Sequence, residues 1–480
     1  TLELEIVKAL LKGQQVTSIN DYFLVDVDQF FGIEYEEFPS QIAQVAMWLI
    51  DHQMNERASV EFGDYFKRIP LKKSATIVCG NALRIDWQSL LQKESTVNVY
   101  ADVANVFQIN EPEEEYKTVN VFAQKINVNP TKAAPVSKLR FQYILGNPPF
   151  IGKKEQNLPQ KEDMDIVCNG IKGYGILDYV AAWYIKAAKY LQQYQIEEKD
   201  VVKTKVAFVS TNSICQGEQV GILWNELFNN YKIKIHFAHR TFRWSNEAKG
   251  NAAVHVVIVG FSNFDALKKN IYEYEDIKGE PHSLEVKNIN AYLVEGNEVL
   301  LSNRKTPLCN TQEIVYGSFA LDDGNYTLSE DDKKEILKIN SNSENLIKPF
   351  IGGRELLHSE KRYCLWLADA SPLELKSNPK IIERIESVRK WRANSDRTNT
   401  KKLAETPTLF AEVRQPKTNY LAFPTLSSVN RNYIPIAFLS PNTIASNQLY
   451  IVPNSDLFSF GLLTSFMHMT WTKYVCGRFK

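Results

Sequence analysis

The chain has 480 residues, of which 44% are hydrophobic and 11% aromatic, and this length and composition suit about two or three packed domains. The 56 Lys and Arg residues balance the 56 Asp and Glu residues, so no global field indicates a polyanionic partner, although a neutral total can conceal a basic cleft. No uninterrupted apolar stretch reaches the ~18 residues of a membrane span, which excludes a membrane-spanning class.

The six cysteines are scattered and form no Cys-x-x-Cys pair, which argues against a zinc site and a disulfide framework. The sequence shows no secretory signal. We therefore expect a reducing, cytoplasmic setting and no metal in this chain.

The first half alternates apolar strand candidates with helix candidates, which predicts an α/β sheet. Two helices carry apolar stripes at helical spacing, and both stripes are predicted to be core. The first stripe is Ile42, Val45, Ala46, Leu49 and Ile50; the second is Leu177, Val180, Ala181, Tyr184, Ala188 and Leu191. The strand candidates are 30–33, 76–78, 143–145, 206–210, 233–237 and 254–261.

Beyond residue 262 the sequence pattern changes, because charged residues and turn residues replace the alternation of strand and helix candidates. We predict a linker over 263–300 and an irregular α+β domain over 301–480. The sequence starts inside a helical pattern and stops in an aromatic-rich segment, so we expect both ends to be internal cuts.

The stretch LGNPPF follows the strand candidate 143–145. Proline lacks an N–H and has a fixed φ, so Pro148 and Pro149 make a stiff corner that holds Asn147 at the carboxyl edge of the sheet. Open α/β sheets bind ligands at this edge. The side-chain oxygen of Asn147 and the carbonyl oxygen of Pro148 form a pair of acceptors that suits an exocyclic NH2 group, and Phe150 offers a flat face for the ring that bears it.

This geometry predicts methyl transfer to an aromatic amine. Two acceptors that pull on the amine hydrogens favour a pyramidal nitrogen and return its lone pair for attack, so no strong base is required. The electrophile would be a methyl sulfonium. The alternative is that the quartet is only a rigid turn, which its position after a strand makes the less favoured interpretation.

A phosphate-binding loop is a further alternative, since GNPPFIGKK faintly resembles a Walker A motif. Five residues rather than four separate Gly146 from Gly152, no Ser or Thr follows Lys153, and the prolines remove the amides that would hold phosphate. We reject this alternative.

The chain resembles the amino-group DNA methyltransferases of the type IIL/IIG restriction-modification enzymes, the Mme family. The resemblance covers nearly the whole chain, and its stretches occur in the order of the family. They are GIEYEEFPSQIAQVAMWLIDHQMN, IVCGNALRIDW, ILGNPPFIG, LDYVAAWYIKAAKYL, FVSTNSICQGEQVGILW, HRTFRWSNEAKGNAAVHVVIVGF, PFIGGRELLH and NYIPIAFLSPNTIASN.

The resemblance implies a Rossmann-like methyltransferase over 1–262 that uses S-adenosylmethionine and methylates the N6 amine of adenine in duplex DNA after base flipping. Glu34 matches the acid that binds the ribose hydroxyls of the cofactor. Asn81 stands where many relatives have an acid that faces the adenine amine of the cofactor, and an amide oxygen can still accept that bond.

Asn147, Pro148, Pro149 and Phe150 match the catalytic motif, with Asn147 also beside the cofactor. Phe242, or else Trp244, is the candidate for the second aromatic face on the flipped base.

One departure from the family is serious. No G-x-G precedes Glu34, so we expect the glycine-rich loop that cradles the methionine half of the cofactor, and its strand, to lie upstream of Thr1. The nuclease domain of the relatives is also missing from these residues. The activity would belong to the parent protein, and the fragment alone would bind the cofactor weakly.

The second domain then matches a target-recognition domain, which reads base edges while basic side chains hold phosphates. SSVNRNYIP resembles the base-reading loop, with Ser428, Asn430 and Arg431 as readers. RKWRANSDRTNTKK has six basic residues against one acid and suits phosphate contact, with Lys401 and Lys402 as candidates. Arg354, in the matching stretch PFIGGRELLH, is a further candidate DNA contact.

Two other functions remain open. A protein-glutamine N5 methyltransferase also presents an Asn-Pro-Pro-aromatic corner to an amide nitrogen, but it leaves the large second domain without a purpose. A non-catalytic DNA-specificity module would have a degenerate cofactor pocket, against which the intact Glu34 and NPPF argue.

Overall fold

The computed structural model describes residues 2–11, 22–62, 74–91, 140–193, 203–244, 254–276, 278–304, 306–428 and 431–476. The chain divides into two compact units. The first unit comprises Thr1–Cys215 with Gln219–Leu301, and the second comprises Gln216–Glu218 with Ser302–Lys480.

The described residues of the first unit form two sheets. Strands β1 and β2 pair in parallel, with Glu34 opposite Cys79. The other sheet has the order β3-β4-β6-β5-β7-β8, in which the β3–β4 and β5–β7 pairs are parallel and the β4–β6, β5–β6 and β7–β8 pairs antiparallel. The strands are β1 Phe31–Glu34, β2 Thr76–Cys79, β3 Tyr143–Gly146, β4 Lys205–Thr211, β5 Lys234–Trp244, β6 Val254–Ser262, β7 Lys269–Glu273 and β8 His282–Val286.

The starts of β1 and β3 lie near each other. Phe31 begins β1 and Phe141 precedes β3, and their ring centroids are 5.3 Å apart. Strands β1 and β2 run parallel, as do β3 and β4, and open α/β sheets bind ligands at the carboxyl ends of such strands.

The core of the first unit forms between the six-stranded sheet and a helix rich in small and aromatic residues. Tyr184 on α4 is fully buried, stacks on Phe261 with a centroid distance of 5.3 Å, and meets Phe208 edge-on at 5.3 Å. Its hydroxyl hydrogen-bonds the Ser210 hydroxyl at 2.7 Å, which satisfies both buried groups. The helices are α1 Leu2–Leu11, α2 Glu37–Phe62, α3 Leu158–Val167, α4 Ala181–Gln193 and α5 Glu218–Asn225.

The two predicted apolar stripes have different outcomes. The second is confirmed, since all six of its residues are buried on or beside α4. The first is wrong within the described chain, because the α2 side chains Ile42, Val45 and Leu49 are 51%, 59% and 54% exposed. The described residues leave this face of α2 largely open, whereas α4 packs on a wide sheet.

The predicted linker also differs from the structure. Residues 263–300 include β7 and β8, which extend the six-stranded sheet through β5. The division between the units falls between Leu301 and Ser302. The charged pattern of this segment reflects in part an exposed edge strand, since His282, Ser283, Leu284 and Glu285 in β8 are exposed.

The second unit has two four-stranded sheets, with the orders β10-β12-β11-β15 and β14-β13-β16-β9. Its main core gathers α9 residues at helical spacing, Ile381, Ile385 and Val388, against Tyr326 and Phe410. The strands are β9 Val315–Tyr316, β10 Thr327–Leu328, β11 Ile347–Ile351, β12 Tyr363–Leu365, β13 Tyr420–Pro424, β14 Ala437–Leu439, β15 Ile444–Ala445 and β16 Leu449–Pro453. The helices are α6 Glu330–Ile339, α7 Gly353–His358, α8 Pro372–Lys376, α9 Pro379–Ala393, α10 Thr398–Lys402, α11 Leu457–Leu463 and α12 Phe466–Val475.

The predicted fold class, an α/β sheet unit followed by an α+β unit, is confirmed. In the ranges given above, no helix is both long and apolar enough to cross a membrane.

Candidate active site

The catalytic corner, Asn147–Phe150, follows β3 directly. Gly146, which ends β3, lies against the ring of Phe208 on β4, and a Cβ at this position would lie 3.0 Å from two ring carbons. A side chain at this position would require the buried ring of Phe208 to shift, so glycine suits the strand end here. Pro148 is buried, whereas Asn147 is exposed and Phe150 is half-buried.

Three hydrogen bonds hold the residues that follow the corner. The carbonyl of Ile151 accepts from the backbone N–H of Tyr179 at 2.9 Å, and the backbone N–H of Lys153 donates to Asp178 Oδ1 at 3.1 Å. Gln156 Nε2 donates to the carbonyl of Leu177 at 3.1 Å. Residues 177–179 thus fix the corner from the segment that leads into α4.

The corner presents unused acceptors. Within the described ranges, neither the side chain of Asn147 nor the carbonyl oxygen of Pro148 has a hydrogen-bond partner in the protein. Phe150 stacks on no other aromatic ring of those ranges. Two acceptors and one ring face are therefore available on a rigid turn at the carboxyl edge of the sheet.

The two predicted cofactor residues occupy the ends of neighbouring parallel strands. Glu34 ends β1, where its Oε1 accepts the N–H of Tyr35 at 2.9 Å and its carbonyl accepts the N–H of Gly80 at 2.8 Å. Asn81 lies two residues beyond β2, and its Oδ1 accepts the N–H of Leu83 at 2.9 Å. One lone pair of that oxygen remains for a ligand.

Sequence reasoning missed a buried carboxylate behind Asn81. Asp163 on α3 is 2% exposed and accepts hydrogen bonds from Asn81 Nδ2 at 2.8 Å, Arg84 Nε at 2.6 Å and the Tyr179 hydroxyl at 2.6 Å. Burial alone would raise the pKa of Asp163, but the bonds from Tyr179, Arg84 and Asn81 outweigh burial and hold its pKa below the usual range. No spacing rule connects Asp163 to Asn81, since 82 positions separate them.

The local sequence explains why Asp163 points inward. Asn157 caps α3, because its side chain accepts the backbone N–H of Gln160 at 3.0 Å. The Gln160 side chain in turn accepts the backbone N–H of Asn157 at 3.0 Å. This start places Asp163, Met164 and Val167 on the buried face of the helix.

A lysine fixes the loop after β2 from another direction. Lys186 on α4 donates to the carbonyls of Leu83 at 2.8 Å and Ile85 at 2.6 Å and lies 5.5 Å from the centroid of Trp87. Burial lowers the pKa of Lys186 to about 8. Its ammonium group therefore hydrogen-bonds the loop that carries Asn81.

The candidate second aromatic face lies at the carboxyl end of β5. Phe242 stacks on Tyr274 with a centroid distance of 4.9 Å, beside His239, which stacks on Tyr272 at 4.2 Å. Phe242 thus already packs on an aromatic ring, and its role with a flipped base stays a prediction. Trp244 ends β5, and its side chain lies outside the described residues.

The predicted base readers lie on one loop of the second unit. The reading loop, residues 425–436, joins the antiparallel strands β13 and β14. Ser428 is exposed, and its carbonyl accepts the N–H of the half-buried Arg431 at 3.1 Å. Asn430 lies outside the described residues.

The basic residues of the stretch 389–402 lie in two different environments, some exposed and one buried. Lys401 and Lys402 are exposed on α10, as phosphate contacts require. Arg392 is fully buried, however, and its guanidinium donates to the carbonyls of Ala320, Leu321, Leu403, Thr406 and Leu409 at 2.8–3.3 Å. The prediction that the whole stretch contacts phosphate is therefore wrong for Arg392, which holds the chain together.

Arg354 is the remaining predicted DNA contact. It lies on α7 with its side chain 75% exposed and pairs with Glu360 at 2.9 Å. An exposed pair of this kind contributes little stability, so the guanidinium can exchange Glu360 for another anion.

Comparison with known proteins places both units. The model of the MmeI DNA-methyltransferase domain matches residues 1–273, and that of the MmeI target recognition domain matches residues 295–480. The chain is 35% identical over 457 residues to DNA methyltransferase A of Bacillus subtilis (strain 168), a match that covers 95% of this chain and 46% of that protein.

The solved structure of MmeI, a type IIL restriction-modification enzyme in complex with DNA, is similar over 100% of this chain and 57% of its own, with 42% identity and a TM-score of 0.75. The chain thus spans about half the length of these two relatives. The two family models together match nearly the whole chain, and the catalytic corner lies within the first of them. The chain therefore belongs to the MmeI family, with the DNA-methyltransferase domain followed by the target recognition domain of that family.

Proposed function

We propose that this chain is the catalytic and sequence-reading part of an enzyme that methylates the N6 amine of adenine in duplex DNA, with S-adenosylmethionine as methyl donor, within a restriction-modification system. The observation that carries the proposal is the catalytic corner, where the oxygens of Asn147 and Pro148 are both available on a fixed turn. Each can accept one hydrogen of an exocyclic amine.

The corner would activate the amine by orientation rather than by a strong base. The amine of adenine is a poor nucleophile, because its lone pair is delocalised into the ring. Hydrogen bonds to Asn147 and Pro148 favour a pyramidal nitrogen and direct its lone pair away from the protein oxygens. The methylated nitrogen would carry one proton too many, which the weakly basic oxygens of Asn147 and Pro148 would not retain and which would pass to solvent.

The strand ends suit the cofactor. When bound, S-adenosylmethionine supplies an electrophilic methyl carbon on a sulfonium sulfur. The carboxylate of Glu34 suits the ribose hydroxyls as an acceptor, and Asn81 Oδ1 has a lone pair left for the adenine amine. Glu34 ends β1, and Asn81 lies two residues beyond β2, the strand that pairs in parallel with β1.

Access to the amine requires that the base leave the duplex, since N6 is stacked and paired inside DNA. The open face of Phe150 can receive the extruded base, and Phe242 is the candidate for the opposite face. The target recognition domain would select the site through the reading loop.

A protein-glutamine methyltransferase and a non-catalytic specificity module are the competing functions. The first has no use for a second unit with its own cores and an exposed basic helix, α10. The second does not require the unfilled acceptors of Asn147 and Pro148.

Product analysis tests the proposal. The full-length protein that contains this chain is incubated with S-adenosylmethionine and duplex DNA, and the DNA is digested to nucleosides. We expect the digest to contain N6-methyl-2′-deoxyadenosine. N4-methylcytosine alone would reject the adenine assignment, methylated peptide without methylated DNA would favour the glutamine enzyme, and DNA binding without any methylation would favour the specificity module.

A further inference from the structure

The buried carboxylate of Asp163 lies between the two halves of the proposed active site. On one side its Oδ2 accepts from Asn81 Nδ2, in the loop that follows β2. On the other side the same oxygen accepts the hydroxyl of Tyr179, whose backbone N–H donates to the carbonyl of Ile151, the residue after the catalytic corner.

Asp163 also determines which way the amide of Asn81 points. A carboxylate with a lowered pKa is an acceptor only, so the NH2 group of Asn81 must face it and the oxygen must face the other way. The bond from the N–H of Leu83 to Asn81 Oδ1 agrees with this orientation.

The carboxylate of Asp163, which also pairs with Arg84 at 2.6 Å, acts on the Asn81 amide by polarisation. An amide whose NH2 donates to a carboxylate is polarised, which makes its oxygen a better acceptor. At 2% exposure, solvent screens this interaction weakly.

We propose that Asp163 is a positioning residue for the methyl donor, which fixes Asn81 as an acceptor for the adenine amine of the cofactor and ties that acceptor, through Tyr179, to the catalytic corner. The inference rests on the proposed function, because it concerns where the donor is held relative to the base.

A charge swap provides the test. Four variants of the full-length protein are compared with wild type: Asp163→Asn, Asn81→Asp, the double variant, and Asp165→Asn as a matched control. Asp165 lies on the same helix, is exposed and accepts the hydroxyl of Tyr174 at 2.7 Å. For each protein, calorimetry gives the dissociation constant of S-adenosylmethionine, and thermal unfolding gives Tm. Transfer of a tritiated methyl group from S-adenosylmethionine to DNA gives kcat.

We expect Asp163→Asn to weaken S-adenosylmethionine binding about tenfold, because the polarising charge and the fixed amide orientation are both lost. Asn81→Asp should also weaken binding, since it places two carboxylates at hydrogen-bond distance. The double variant should recover most of the affinity, because an amide at 163 can donate to a carboxylate at 81. Asp165→Asn should bind as wild type does.

Rescue distinguishes positioning from simple support of the fold. A double variant that binds the cofactor as weakly as the single variants, or an Asp163→Asn protein that binds as tightly as wild type, would overturn the inference while leaving the proposed function intact. A lowered Tm with unchanged affinity would also overturn it, since Asp163 would then serve only the fold. A wild-type protein that bound no S-adenosylmethionine would overturn the proposed function as well.

Discussion

The catalytic corner and the reading loop both leave the end of a strand, but the structure anchors them differently. The corner is followed within six residues by three hydrogen bonds to residues 177–179. Of the described part of the reading loop, the N–H of Thr425 donates to the carbonyl of Gln448 at the root, and the N–H of Arg431 donates within the loop itself.

This difference follows from what each segment is proposed to do. The chemistry is the same at every target and requires acceptors in one place, since small displacements of reacting groups are costly. Sequence reading is compatible with a surface loop, because loops tolerate changes of sequence that a fixed catalytic turn does not. The catalytic corner should therefore respond to mutation uniformly over DNA sequences, and the reading loop selectively.

Loss of the corner amide should have the largest effect. Asn147→Ala removes one of the two proposed acceptors, which should lower methyl transfer by about 3 kcal/mol or more, at least a hundredfold. All DNA sites should lose activity alike, and S-adenosylmethionine binding should be nearly unchanged. Tritium transfer and calorimetry measure the two quantities, with the exposed Asn169→Ala as control. An active Asn147→Ala enzyme would mean that the corner is only a structural turn.

Loss of the proposed base reader should be smaller and selective. If Arg431 reads a guanine edge, Arg431→Ala should cost about 1–3 kcal/mol and relax discrimination at one base pair, with the salt dependence of binding mostly unchanged. Methylation of a library of sites at two salt concentrations measures both. Equal weakening at all sites with a shallower salt slope would place the reading residues on another segment.

Loosening the anchor of the catalytic corner should slow catalysis without changing the preference for DNA sequence. Asp178 Oδ1 accepts the N–H of Lys153, and Asp178→Ala removes that bond at a cost of about 1 kcal/mol, or about fivefold in kcat. The loss should be equal at all sequences. A sequence-dependent loss, measured with the same site library, would contradict the division of roles between the two segments.

The smallest effects should come from the exposed lysines. Lys401→Ala and Lys402→Ala should each weaken DNA binding uniformly over sequences and reduce the salt slope by about one ion. Fluorescence anisotropy at several salt concentrations measures this slope, with Lys338→Ala, at an exposed position on α6 outside the basic stretch, as the comparison. If either variant changed the preferred sequence, that lysine would be a reader rather than a phosphate contact.

The sequence predicted what depends on local pattern. The corner follows its strand as proline chemistry requires, and the α4 stripe is buried because that helix packs on a wide sheet. The stripe on α2 has the same spacing but remains half-exposed in the described chain, since periodicity indicates a face suited to burial and not the segment that covers it.

The contacts that the sequence could not predict are long-range. Asp163 meets Asn81 across 82 positions, and no charge pattern near either residue indicates the pair. Arg392 lies in a basic stretch that suits solvent, yet its guanidinium is buried, because the carbonyl oxygens around it come from segments 70 or so positions away as well as from nearby. The expected linker contains two strands, and the outer one, β8, is an exposed edge strand whose polar sequence resembles that of a loop.

The buried guanidinium of Arg392 limits how such proteins can be recombined. Its five carbonyl partners lie at 320–321 and 403–409, and burial lowers its pKa, so a cation without those oxygens would be poorly tolerated. A chimera between relatives that joins two parents anywhere from 322 to 402 would separate the arginine from two or three of its five acceptors, and its yield of folded protein should suffer. Exchange of the segment 425–436 alone leaves every one of these bonds in a single parent, which makes it the safer graft.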